Sequence, residues 1–405
     1  MKIKYLLLGA LLPVLSQCKS VGEKVKKGPS ENVGAEATPY KTLILTGECI
    51  GCDLRDHDFK DDDLSGMNLK GANLSGANLT KATLTNVSFE EATLTNADLR
   101  GKVLNGVSFV NARLDRADFS EIRGDGINFG GATMNNADFT RARMSGAGFT
   151  DSVLEEANFM EAELTGAVFE SSDLKDANFL EAEMNGVNFS KSVLERVNFF
   201  GANVSGSYFK NADIKGAKFT ESDLSASKFI GAKMERVSCT RTDFSDSDMT
   251  GADLTEINCE AAIFVKAVMA RAIIRNGVMS DSNLSEADLS NASFAGALLM
   301  RATITGATAV KANFTGANML NTNLSETNAE SANFQDADLR SANFFKSNLS
   351  NSNLVGADLE STNFAQADLT DASIDTGRID RASLCDTTLP NGNPLSAWDR
   401  RRYCN

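Results

Sequence analysis

A repeat solenoid is the fold class this chain predicts, and two observations carry the prediction. From Leu54 to Leu389 an apolar residue returns at every fifth position, and no insertion or deletion shifts the register. Of the 68 positions reached by stepping five at a time from 54 to 389, all but Gly124, Cys239, Cys259, Ala309 and Ala329 hold Leu, Phe, Met, Ile or Val. Two residues before each of them runs a second, smaller series, mostly Ala, Ser, Val or Thr, as in Ala157-Asn158-Phe159 and Ala167-Val168-Phe169. A period of five fits neither the 3.6-residue period of a helix nor the two-residue period of a strand. An internal repeat of this kind overrides the two or three domains that 405 residues would otherwise suggest.

Composition agrees with a packed, non-disordered array. Hydrophobic residues make up 42%, enough for a core, and 24 Phe against four Tyr and one Trp make Phe a core-filling residue. Five Pro and 31 Gly argue against a collagen-like or low-complexity chain. A net charge of −14 disfavours binding of nucleic acid or an anionic membrane by the folded body. The body holds no apolar run long enough to span a bilayer.

Ahead of the array, residues 1–17 read as a secretory signal. Lys2 and Lys4 form a basic start, and Leu6 to Leu15 an apolar segment too short for a transmembrane helix. Leu15-Ser16-Gln17-Cys18 resembles a bacterial lipobox, although Gln17 stands where a small residue is usual. That resemblance implies lipidation of Cys18 as the mature N-terminus, and several acyl chains are what stable anchoring needs. The alternative is a plain secretory signal that leaves Cys18 an ordinary thiol. Residues 18–40 are polar and read as a tether, with Lys19, Lys24, Lys26 and Lys27 either drawn to anionic headgroups or simply solvated. Residues 41–53 read as an N-terminal cap, whose β-prone Lys41 to Thr46 is expected to be an entry strand or a cap over the first coil.

The array itself, residues 54–389, resembles the pentapeptide-repeat family, whose unit is Ala-(Asp/Asn)-Leu-x-x. Good matches stand at Ala72-Asn73-Leu74, Ala97-Asp98-Leu99, Ala252-Asp253-Leu254 and Ala357-Asp358-Leu359. The resemblance implies an all-β fold, a right-handed quadrilateral β-helix. Each unit is one side, four units make a coil of 20 residues, and the central residue and the small one two before it point inward. The 68 units then make about 17 coils. At the ~4.8 Å spacing of strands, that is a rod roughly 80 Å long.

Columns taken 20 residues apart test that geometry. Phe89 to Phe229 form one column and Phe119 to Phe219 another, offset by ten residues and so on opposite sides. Near 235–260 the large residues change sides: Phe244 and Phe264 in one column, then Phe294, Phe314 and Phe334 in the next, and later Phe344 and Phe364. This is a junction between two blocks of one rod. Residues 390–405 read as a C-terminal cap. It opens on the turn signal Pro390-Asn391-Gly392 and continues into a short helix, Ala397 to Tyr403.

Six cysteines besides Cys18 fall into three local pairs: Cys49 with Cys52, Cys239 with Cys259, and Cys385 with Cys404. An exported chain meets an oxidising compartment, so disulfides are allowed. Cys239 and Cys259 equally suit two buried thiols filling core positions. The single His57 lies on the inward small-residue series and reads as a cap residue, and with no second His it makes no catalytic triad or zinc site. Asp53, Asp56, Asp58, Asp61, Asp62 and Asp63 form either a solvated acidic rim or a Ca²⁺ site, and their spacing is not that of an EF-hand. No catalysis, cofactor or metal is expected.

Function is therefore sought on the outside. Met160, Leu180 and Phe200 form an outward apolar column on three successive coils, with Met300 and Leu320 further along it, and are the candidate interaction patch. Asp98, Asp118 and Asp138 stack, as do Glu161 and Glu181. Asn313, Asn333 and Asn353 stack too, as do Asn323, Asn343 and Asn363, and such ladders more often stabilise a coil than bind anything. The resulting expectation is a non-enzymatic, membrane-anchored lipoprotein of the bacterial cell envelope, at the outer membrane or its periplasmic face. It would be a rod-shaped scaffold or protein-binding module whose partner is an unknown protein or a second copy, with no nucleic acid. The alternative follows from the family resemblance, since some members resemble B-DNA and bind DNA gyrase: an acidic DNA-mimicking inhibitor of such a DNA enzyme.

Overall fold

The computed structural model of the protein describes residues 38–375, 379 and 381–393. The signal, the tether from Cys18 to residue 37, the C-terminal helix and Cys404 lie outside the described residues, whereas the last tether residues, Thr38, Pro39 and Tyr40, belong to the cap that follows.

The described body begins with a helix, α1, Pro39–Thr46, where the sequence suggests a strand. Local end signals outweigh the β-propensity of Leu43, Ile44 and Leu45. The Thr38 side chain accepts the N–H of Lys41, and Pro39 opens the first turn with φ already fixed. Gly47 closes the helix at φ 76, donating its N–H to the carbonyl of Leu43 at 2.8 Å. Leu43 is buried, and Tyr40 packs on His57 with ring centroids 4.3 Å apart. The helix thus covers the open end of the first coil, as a solenoid cap must. The ladder also starts one unit earlier than the apolar period suggests, because Glu48 already pairs with Asn68.

From there the chain is a right-handed quadrilateral β-helix. Every ladder contact joins residues 20 apart in parallel, one per side, and one column runs unbroken from Glu48 to Thr388. Each side is bonded to both neighbouring coils. Asn158, for instance, donates its N–H to the carbonyl of Ala137 and accepts the N–H of Phe139, both on the preceding coil, while Phe159 beside it donates to the carbonyl of Asn178 on the following one. The corners are tight turns. The carbonyl of each central residue accepts the N–H three residues on, as for Ala157 on Leu154 at 3.1 Å, and the second turn residue has positive φ, such as Glu161 at 56°. Gly occupies many of these corners, but Glu, Asp, Asn and Arg occupy more.

The core is a set of stacked columns. Within each Phe column the rings stack, 4.4 Å between the centroids of Phe149 and Phe169. Across the core the two columns meet edge to face, 5.9 Å and 87° for Phe149 and Phe159. Several inward hydroxyls donate to coil carbonyls, as Ser207 does to Met184 at 3.1 Å, whereas those of Ser247 and Ser352 are buried without a hydrogen-bond partner. At the junction Phe229 meets Phe244 edge-on at 5.8 Å and the stack continues on the adjacent sides. Directly along the column from Phe219, Cys239 and Cys259 are joined by a disulfide, with their Cα atoms 4.4 Å apart. Pro390-Asn391-Gly392 makes a turn, with Gly392 at φ 75 donating to Leu389.

One exception to the apolar period explains itself. Gly124 sits at a central position because the two small-series positions of that stretch hold Ile122 and Ile127, both buried. A Cβ on Gly124 would lie 3.2 Å from Cδ1 of Ile127 and 3.1 Å from the carbonyl carbon of Leu104. Large and small have exchanged places. Gly124→Leu, which restores the period, is therefore expected to overpack the coil and cost about 1–3 kcal/mol. A denaturation midpoint equal to that of the unsubstituted protein would refute this compensation.

Candidate interaction surface

Three positions of each unit face outward: the ladder residue and the two turn residues. Their chemistry decides what the rod can present. Ladder Asp and Asn residues use one side-chain oxygen to accept the backbone N–H two residues on. Asp98 accepts from Arg100 at 3.2 Å, Asp118 from Ser120 at 3.0 Å and Asp138 from Thr140 at 2.9 Å. These are Asx turns repeated along the corner. The stacked aspartates that the sequence offers as a possible functional surface are therefore tied into the turns. Arg100 also forks onto Asp98 and reaches Asp118 at 3.3 Å, which relieves the repulsion between them and holds the Asp98 carboxyl below its usual range. The Asn columns work the same way and add amide ladders, such as Asn343 to Asn323 at 3.1 Å and Asn363 to Asn343 at 2.9 Å.

Corner charges pair between coils. Arg141 meets Glu161 at 2.9 Å, Arg196 meets Asp176 at 2.6 Å, Arg236 meets Glu256 at 2.9 Å and Arg301 meets Asp281 at 2.6 Å. Around Gly216, where the long corner side chains are interrupted, a groove of about 510 Å³ opens. Its lining alternates in sign, with Glu195, Arg196, Lys215, Glu235, Arg236 and Glu256. Lys215 lies 3.4 Å from Glu235, so the groove has no excess of either charge on its floor.

The apolar column lies on the side whose inward residues run from Phe119 to Phe219 and on through Cys239 and Cys259. The N–H groups of Met160, Leu180 and Phe200 are each 3.3 Å from the side-chain oxygen of Asn158, Asn178 and Asn198. Those asparagines are linked by side-chain hydrogen bonds, Asn178 Nδ2 donating to Asn158 Oδ1 at 2.9 Å and Asn198 Nδ2 to Asn178 Oδ1 at 2.8 Å. The backbone is fixed and the side chains project. Met160 and Leu180 are half-buried, and Phe200 is 37% exposed. Two residues absent from the sequence-derived patch join its far part: Val278 and Leu298, at ladder positions beside Met300 and Leu320. Val278 belongs to a coil whose four outward ladder positions, Ile263, Val268, Ile273 and Val278, are all β-branched and apolar, and Leu298 is its ladder partner on the next coil. The signal was available as apolar doublets, Ile263-Phe264 through Val278-Met279, in which the residue before the central one is also apolar.

The remaining candidates are structural or dispersed. Cys49 and Cys52 form a disulfide beneath α1, with Cα atoms 5.5 Å apart. Cys385 is disulfide-bonded, and its expected partner Cys404 lies outside the described residues. His57 is sandwiched between Tyr40 and Phe59, the latter at 4.6 Å. The Asp53–Asp63 cluster is scattered because residues five apart occupy successive sides. Asp53 forks onto Arg55, Asp58 and Asp63 cap the N–H groups of Lys60 and Ser65, and Asp62 accepts the Tyr40 hydroxyl at 2.9 Å. Among the described residues no cluster of His, Cys, Asp or Glu is arranged to hold a metal ion.

Comparison with known proteins agrees with this architecture. The family profile described as pentapeptide repeat region matches residues 46–119 and 132–209, and the one described as pentapeptide repeats (8 copies) matches successive segments from 192–229 to 342–376. No curated protein matches the chain. Among solved structures, a trypsin-treated QnrB1, a plasmid-mediated fluoroquinolone resistance protein, is 19% identical and covers 48% of this chain and 93% of its own, at a TM-score of 0.32. HetL, a pentapeptide repeat protein involved in heterocyst differentiation regulation in the cyanobacterium Nostoc, is 20% identical over 64% of this chain and 92% of its own, at 0.23. A pentapeptide repeat protein of the Arabidopsis thaliana thylakoid lumen is 24% identical over 31% and 87%, at 0.27.

Proposed function

The chain belongs to the pentapeptide-repeat family, and on that premise we propose that it is a non-enzymatic binding scaffold. In this proposal the rod is held to the bacterial envelope by a lipid on Cys18 and presents a binding surface outside the cytoplasm. The observation that carries the binding role is the apolar strip on one side, centred first on Leu180 and again on Met300. Elsewhere many outward groups are occupied: ladder carboxylates such as Asp118 cap turns, and corner charges such as Arg141 and Arg236 pair with the next coil. Placement outside the cytoplasm is supported by the Cys49–Cys52 and Cys239–Cys259 disulfides, which persist in oxidising compartments. The alternative, an acidic DNA mimic, needs columns of unengaged carboxylates. Arg100 offsets the charge of Asp98 and Asp118 in the one aspartate column considered, which weighs against it.

Metabolic labelling with palmitate tests the anchor. The native protein is expected to take up label and to be cleaved by protease added to intact or outer-membrane-permeabilised cells. Cys18→Ala is expected to lose the label entirely. An unprocessed protein that stays protected in the cytoplasm would instead revive the DNA-enzyme alternative.

A further inference from the structure

We propose that the apolar strip binds a second copy of the same strip, with the two rods side by side and antiparallel. The proposal deepens the binding-scaffold reading by naming the occupant of this side, and it does not depend on the anchor. A two-fold axis crossing the strip at the coil of Thr240 superposes each outward column on itself and pairs coils equally far above and below that level. Met160 then faces Leu320 of the other copy, Leu180 faces Leu298 and Met300, and Phe200 faces Val278. Both apolar clusters are thereby covered by each other, which no single cluster achieves against itself. An isologous contact requires self-complementarity of this kind.

The charges on the strip obey the same symmetry. Lys218 and Glu260 lie one coil to either side of the axis, and each is exposed and without an ion pair inside the chain among the described residues. The rotation brings each beside the other's counterpart. Glu181, also lacking an ion pair, is brought to Arg301 three coils from the axis. At the centre stand small residues, Ser238 and Thr240. Arg241 meets its own copy there, but each Arg241 already holds Glu221, so the cluster of four is neutral. From Met160 to Leu320 the strip runs eight coil steps, ~40 Å at ~4.8 Å each, and one five-residue side is ~16 Å wide. The ~640 Å² this gives per copy, before side-chain relief, is of the order of the ~800 Å² a stable interface uses.

Two experiments on the full-length protein in detergent test the pairing. The first is a charge exchange read by sedimentation. Lys218→Glu and Glu260→Lys are each expected to weaken the dimer about tenfold or more, because each places like charges together twice. Lys218→Glu combined with Glu260→Lys is expected to restore it. The second is cross-linking with a short bismaleimide, with the unsubstituted protein setting the background. Met160→Cys is expected to link to Leu320→Cys in a mixture of the two and neither to itself, whereas Thr240→Cys links to itself. Met160→Cys linking to itself would make the rods parallel and overturn the proposal. A monomer at every concentration overturns it too, and capture of a different protein through the strip would then leave the scaffold reading standing. Failure of the exchanged pair to recover would refute the register.

Discussion

Phe169→Asp is expected to break the rod near its middle. The Phe169 ring is fully buried, stacked between Phe149 at 4.4 Å and Phe189 at 5.1 Å, and edge-on to Phe159 at 5.8 Å and Phe179 at 6.0 Å. Truncating such a ring costs about 3–5 kcal/mol, and a carboxyl left without partners in the same space adds to it. A solenoid has no distant contacts to share the loss, because each coil is held only by its neighbours. The defect should therefore divide the array into two separately melting segments and admit protease close to residue 169. Thermal unfolding followed by circular dichroism, with limited proteolysis alongside, reads both effects. An unaltered melt would mean that the Phe columns do not face inward.

Loss of the Cys239–Cys259 link is expected to be the second large effect. The bond closes a 20-residue loop, one full coil, at the level where the aromatic stack moves to other sides. Chain-entropy reasoning gives about 3 kcal/mol for a loop of this size. Both sulfurs are buried, so Cys239→Ala with Cys259→Ala leaves small cavities in addition. Denaturant unfolding should show the native protein losing about 3 kcal/mol more on reduction than the double variant, in which only the other linkages are reduced. A variant carrying only the Cys49 and Cys385 linkages that still loses the full amount on reduction would assign the effect elsewhere.

Much of the fold was legible because the five-residue period fixes the side and direction of every residue once the coil length is known. Phe89 to Phe229 and Phe119 to Phe219 fall on opposite sides for that reason alone. Helix α1 was not legible from its apolar content. Its identity lies in Thr38, Pro39 and Gly47, whose end-capping outweighs the strand preference of Leu43 to Leu45. The outward side chains were harder still. An aspartate column looks the same in sequence whether its carboxylates are free or cap turns, and only the 3.0 Å contact of Asp118 with the N–H of Ser120 separates the two. Val278 and Leu298 are hard to recognise as surface residues because they stand not at turns but at ladder positions. There an apolar residue is adjacent to the central one and merges with it in the pattern.

The claim that function resides on the strip, and that the inward columns only hold the rod together, is tested most directly by Leu180→Asp. The measurement is a cross-linking pull-down from intact cells, made beside a thermal melt of the same protein. Leu180 is a half-buried turn residue whose backbone is anchored by Asn178, so the melt should be unchanged while cross-linked species, a second copy included, fall sharply. Undiminished cross-linking with an unchanged melt would contradict the account.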